Sequence, residues 1–135
     1  MKKLQVEVDF TGRNFCAGTG EVGGAVMATH KTFDGLKKEF TEALQFHIQG
    51  CLADGDTLPE WAVNGDYEIE YNLSVQALLQ HFDGVLTREA LSKVTGINAK
   101  QLGHYMSGHR SPRQDKRSKI IEGIHRIGKE FIAVV

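Results

Sequence analysis

Gly96–Pro112, GINAKQLGHYMSGHRSP, decides how the C-terminal part of the chain folds. Gly96 can take the left-handed backbone conformation that ends a helix, at no side-chain penalty. Ile97 then serves as an apolar pin. Asn98 is a good N-cap, and Gln101 three residues on completes a capping-box-like pair. Leu102, Tyr105 and Met106 fall at helical spacing on one face, which leaves Ala99, Lys100, Gln101 and His104 for the outward face. Gly108 supplies the C-terminal stop. Ser111 is expected to cap the next helix, with Pro112 at its first position and Gln114 at the reciprocal site.

The matching first half lies upstream. Thr87 is an N-cap, Leu91 and Val94 give an apolar face, and the helix runs from about Arg88 to Thr95. A helix, a tight Gly-containing turn and a second helix with exposed polar residues form the pattern of a DNA-binding helix-turn-helix. An ordinary helical hairpin is the alternative. A last helix, about Pro112 to Phe131, carries Ile120, Ile124, Ile127 and Phe131 on one stripe for packing against the pair. The apolar end Ile132-Ala133-Val134-Val135 suits either a dimer interface or a frayed tail.

Charge divides the chain. Through Ser74 there are 6 Lys+Arg and 12 Asp+Glu, net −6; from Val75 onward there are 10 and 5, net +5. The total of −1 therefore hides two parts of opposite sign. The basic part is suited to phosphate contact, where counterion release dominates affinity. A solvated helix face would account for Lys116, Arg117 and Lys119 alone, but not for the asymmetry.

The N-terminal part reads as a small α+β unit. Leu4, Val6, Val8 and Phe10 alternate with Lys3, Gln5, Glu7 and Asp9 as a half-buried strand. Thr11-Gly12-Arg13-Asn14 is a hairpin turn, followed by a strand around Phe15 to Ala17. Gly18, Gly20, Gly23 and Gly24 mark a flexible connection, and Ala25 to His30 suits a third strand. A helix from about Phe33 to Leu52 covers the sheet with Leu36, Phe40, Ala43, Leu44, Ile48 and Cys51. Ala53 to Gly65 is a loop. Tyr67, Ile69, Tyr71 and Leu73 alternate with Glu68, Glu70 and Asn72 as a fourth strand. The order β-β-β-α-β implies helices on one face of a mostly antiparallel sheet. The expected division is an α+β domain over 1–73 and a helix-turn-helix domain over 74–135.

Leu91, Gly96, Ile97, Leu102, Tyr105, Gly108, Arg110 and Pro112 give the stretch from about Ser74 to Gly128 a resemblance to the Xre and lambda-repressor-like helix-turn-helix family. Ser92 stands where that family usually has Ala, and is small enough to fit. The whole order resembles the HicB antitoxins, through the VEVDF strand (residues 6–10), the THKTFD helix entry and the EALQFHI stretch within the helix. Val26–Lys31 replaces the Pro-Asp-Leu-Pro-Gly-like segment of many HicB proteins. The resemblance implies a truncated ribonuclease-H-like domain that covers a HicA-like toxin, a small basic ribonuclease. It also implies a C-terminal domain that represses a palindromic operator as a homodimer or higher homo-oligomer.

Roles at the DNA follow as expectations. Ala99, Lys100, Gln101 and His104 meet base edges: Gln suits adenine, Lys suits guanine, and Ala can touch a thymine methyl. Arg88, Ser107, His109, Arg110 and Arg113 contact phosphates. A stand-alone regulator is the competing reading, its N-terminal domain binding a small ligand or only oligomerising.

Catalysis is not expected. Asp9, with Glu7, Glu68 and Glu70, is the one carboxylate group that suggests two-metal chemistry, and the solvent face of a sheet explains it. Gly18 to Gly24 lacks the Lys and Ser/Thr of a phosphate-binding loop, so no cofactor is implied. His104 and His109, five apart, do not share a helix face as metal ligands. No segment is apolar and long enough to span a bilayer, and MKKLQVEVDF, interrupted by Glu7 and Asp9, is not expected to act as a signal peptide. Cys16 and Cys51 form no C-x-x-C pair; two buried thiols and a reducing cytoplasmic setting are expected.

Overall fold

Alternating apolar and polar side chains build the first sheet strand, β1 (Lys2–Phe10): Leu4, Val6 and Val8 are buried, while Lys3, Glu7 and Asp9 on the opposite face are exposed. In this computed structural model, which describes all of Met1–Val135, the chain divides into two compact units, Met1–Ser74 and Val75–Val135. It is a mixed α/β protein with one four-stranded sheet and six helices.

In the first unit, the Thr11 N–H donates to the Asn14 carbonyl at 3.0 Å and Gly12 takes φ 83°, so the chain reverses into β2 (Phe15–Thr19). β2 pairs antiparallel with both β1 and β3 (Val26–His30). The last strand, β4 (Tyr67–Leu73), lies parallel to β1, and the order is β3-β2-β1-β4. A parallel partner requires a crossover. It is supplied by α1 (Phe33–Ala53), whose buried Leu36, Phe40, Leu44, Ile48 and Cys51 step by three or four and pack on β2 and β3. Thr32 caps α1 by accepting the Gly35 N–H at 3.0 Å, and its own N–H donates to His30 Nδ1 at 3.1 Å.

Three details differ from expectation. The glycine-rich connection is an anchored loop: Val22 is fully buried and its carbonyl accepts from His47 Nε2 at 2.6 Å. The segment 53–65 contains a short helix, α2 (Glu60–Val63), which sets Trp61 edge-on to Tyr67 at 5.9 Å. Only Cys51 is buried; Cys16 lies half-exposed on the face opposite α1, because its strand position puts it in register with Asp9 and Thr29. Tyr71 packs edge-on to Phe33 and Phe40, and burial pushes its phenol pKa up, partly offset by a hydrogen bond with Thr41.

The second unit holds four helices: α3 (Val75–His81), α4 (Arg88–Thr95), α5 (Ala99–Ser107) and α6 (Gln114–Ile132). Val75, Leu79, Leu91, Ile97, Leu102, Tyr105 and Ile120 form its core, ringed by Leu86, Met106, Ile124 and Ile127. The sequence of α3 displays no helical period. Its buried Val75, Ala77 and Leu79 are spaced by two, as in a strand. α6 crosses α4 at Gly123, where a Cβ would lie 2.8 Å from Thr95 Cγ2 and 3.1 Å from Val94 Cγ2.

α6 also starts later than expected. A residue before proline is disfavoured in the helical region, and Arg113 keeps ψ 168°, so Arg113 and not Ser111 occupies the N-cap, without a side-chain hydrogen bond. The apolar stripe of α6 is covered only through Ile127; Phe131 is 63% exposed and Ile132 85%. No helix is long and apolar enough to cross a membrane.

Candidate nucleic-acid interface

Four polar side chains fix where α5 sits. At the end of α4, the buried Thr95 hydroxyl donates to the Leu91 carbonyl at 2.7 Å and accepts the Ile97 N–H at 3.1 Å. Gly96 turns the chain with φ 72°, a left-handed value that favours glycine. Asn98 Oδ1 accepts the N–H groups of Lys100 and Gln101 at 2.8 and 3.2 Å, satisfying two of the orphan donors at the helix start. At the other end, Gln80 Nε2 donates to the Met106 carbonyl at 2.9 Å. Gln76 lies against Gly108, where a Cβ would come within 2.7 Å of its amide nitrogen. The remaining cap is on α4, where Thr87 accepts the Ala90 N–H at 3.0 Å. A helix seated this way presents its outward side chains in a defined position, which recognition requires.

Leu102 and Tyr105 face the core and Lys100 faces outward. The other expected base-reading residues divide. Ala99 is half-buried. Gln101 does not reach back to the cap; it is half-exposed at the edge of the cleft beside α5, and its Nε2 donates to the Tyr105 hydroxyl at 3.0 Å. The phenol oxygen lies one turn along the same helix, within reach of the amide.

His104 is half-exposed, and the turn after α5 changes its surroundings. Gly108 takes φ 80°, and the Arg110 N–H returns to donate to the His104 carbonyl at 3.2 Å. His109 thereby lands on His104, ring centroids 4.9 Å apart. The two rings meet because His109 lies beyond the helix end, where helical spacing does not govern its position. His104 Nδ1 is buried without a hydrogen-bond partner. Desolvation lowers the His104 pKa from its ordinary value, and the positive charges of His109, Arg110 and Lys100 lower it further. No group of three or more potential ligands is placed to hold a metal ion.

The expected phosphate-contacting residues surround this face. Arg88 lies across α5, its Nη1 2.6 Å from where a Cβ of Gly103 would be. Glycine at 103 is what admits it, a signal the sequence reading missed. Ser107, His109, Arg110 and Arg113 are all exposed. The Ser107 hydroxyl donates to the His104 carbonyl at 3.2 Å and accepts the His109 N–H at 3.4 Å, so it also caps the helix end. Beside α5, an open cleft of about 530 Å³ is lined by Gln101, Tyr105, Arg110, Ser111, Arg113, Asp115 and Lys116. None of the ten Lys and Arg residues of this unit pairs with a carboxylate.

In the first unit, register puts Glu7 and Asp9 on the same sheet face as Glu68 and Glu70. Three of the four are held by neighbours: the Ser74 hydroxyl donates to Asp9 at 2.7 Å, Asn72 Nδ2 to Glu7 at 3.3 Å, and Lys3 lies 3.9 Å from Glu70. Comparison of the chain with protein-family models, with curated proteins and with solved structures finds no match.

Proposed function

We propose that this protein is a DNA-binding transcriptional regulator that reads the major groove of a palindromic operator with α5. One observation carries the reading: α5, joined to α4 by the turn Gly96–Asn98, presents Lys100 and His104 with Arg88 and Arg110 close by, and no carboxylate pairs Lys100, Arg88 or Arg110. In this arrangement the second helix contributes base contacts and its flanks contribute phosphate contacts. Lys100 donates to guanine and His104 to a neighbouring base or phosphate. Arg88, Arg110 and Arg113 hold backbone phosphates. Gln101 orients Tyr105 and meets the DNA from the flank. A second copy engages the other half-site.

The resemblance to HicB extends the proposal. The first unit is then a truncated ribonuclease-H-like domain that neutralises a small basic HicA-like ribonuclease, with no catalysis of its own, and the second unit represses the shared operon. The excess of acid over base in the first unit favours a basic partner. In the alternative regulator, the first unit only oligomerises the chain or binds a small ligand.

Selection of bound duplexes from a random pool tests the DNA reading: enrichment of a palindrome supports it, and an unenriched pool rejects it. Co-expression with each small flanking reading frame tests the antitoxin reading. A product that stops growth alone, and is both neutralised by and copurified with this chain, supports it. Neighbours that are neither toxic nor bound leave the regulator without the antitoxin role.

A further inference from the structure

β4 is an edge strand with nothing paired to its outer side. It is well made for a partner: residues Tyr67–Leu73 match Lys2–Val8 one to one, with no bulge, proline or glycine to interrupt the edge. Natural edges are usually blunted by such devices. α1 leans toward the other side of the sheet, on β2 and β3. The row of β4 facing α1, Tyr67, Ile69, Tyr71 and Leu73, is therefore only half-buried, whereas Leu4, Val6 and Val8 beside it are closed off. The opposite row carries exposed Glu68 and Glu70, countered only by Lys3 at 3.9 Å from Glu70.

These features select the occupant. A second copy pairing antiparallel about Ile69 would set Glu68 against Glu70 of its mate, and like charges directly opposite destabilise a strand pair. A strand with Lys or Arg on that face and apolar residues on the other satisfies both rows. We propose that the free edge of β4 takes an added β-strand from a partner protein, a segment alternating apolar residues with Lys or Arg. Backbone hydrogen bonds provide the seat, Tyr67, Ile69 and Tyr71 receive the apolar side chains, and Glu68 and Glu70 select the charge. The surface belongs to the first unit alone and does not depend on the DNA reading or on the partner being a toxin.

The test uses the full chain, a capped peptide of the length of β4 alternating Lys with Val, and a matched peptide alternating Glu with Val. Amide hydrogen exchange followed by NMR is expected to show saturable binding of the Lys peptide with new protection at alternate β4 amides. In Glu68→Lys/Glu70→Lys, affinity for the Lys peptide is expected to fall about tenfold or more while the Glu peptide gains. A Lys peptide that leaves β4 amides unprotected overturns the proposal, as does equal binding of both peptides. Exchange in the unaltered chain decides the matter even if the double variant folds poorly.

Discussion

Arg88 reaches α5 because Gly103 has no side chain to meet it. Mid-helix glycine costs about 1 kcal/mol relative to alanine, so its presence here calls for a local reason, and the guanidinium supplies one. Gly103→Ala is expected to leave the thermal midpoint unchanged or raise it while weakening DNA binding about tenfold, roughly 1.4 kcal/mol. Thermal denaturation and fluorescence anisotropy on a selected duplex measure the two effects. Loss of both together would point to a packing role instead. His104 provides a second residue-scale expectation. Its folded pKa lies below the ordinary value, so the unfolded chain binds the proton more readily. Stability contributed by its neutral form is present above about pH 6.5 and is lost as pH falls through that value toward the folded pKa. Denaturant titrations near pH 7.5 and pH 5.5 are expected to show a smaller acid loss for His104→Gln than for the unaltered chain. Both effects were hidden in the sequence, because each depends on a neighbour brought in by a turn or from another helix.

Caps and left-handed glycines made the elements α4 and α5 legible, since Thr87, Gly96, Asn98 and Gly108 act within a few residues of themselves. The alternation of β1 and β4 and the four-residue step of α1 were legible for the same reason. α3 and α2 were not: seven and four residues are too short to display a helical period. The start of α6 was misplaced because Ser111 and Pro112 match a cap signature that the extended backbone at Arg113 overrides. Gly123 illustrates how packing reverses propensity. An added methyl would gain about 1 kcal/mol as helix, but it meets Thr95 and Val94 below ordinary contact distance. Overpacking of this kind costs about 1–3 kcal/mol. Gly123→Ala is expected to lower the unfolding midpoint in urea, whereas the open Gly128→Ala is expected to raise it slightly.

Across the whole molecule, the sign of charge follows the two units, net −6 before Val75 and net +5 from it. Each unit has its own buried apolar residues. A fragment of residues 75–135 is therefore expected to fold alone and to bind DNA with an affinity that falls steeply with salt. A fragment of residues 1–74 is expected to show no such binding by mobility shift. The α+β character was readable from the order of periodicities. The parallel placement of β4 beside β1, and the free edge this creates, was not, because strand order depends on pairing between residues more than sixty apart.

Whether α5 reads DNA is decided by a salt titration of binding to the selected palindrome, with and without Lys100→Ala. The unaltered chain should bind the palindrome at least about 10³-fold more tightly than a scrambled duplex. Lys100→Ala should remove about 1–3 kcal/mol of that preference and relax the choice of base at one position. Equal affinity for both duplexes, or a variant that discriminates as well as the unaltered chain, would contradict that role for α5.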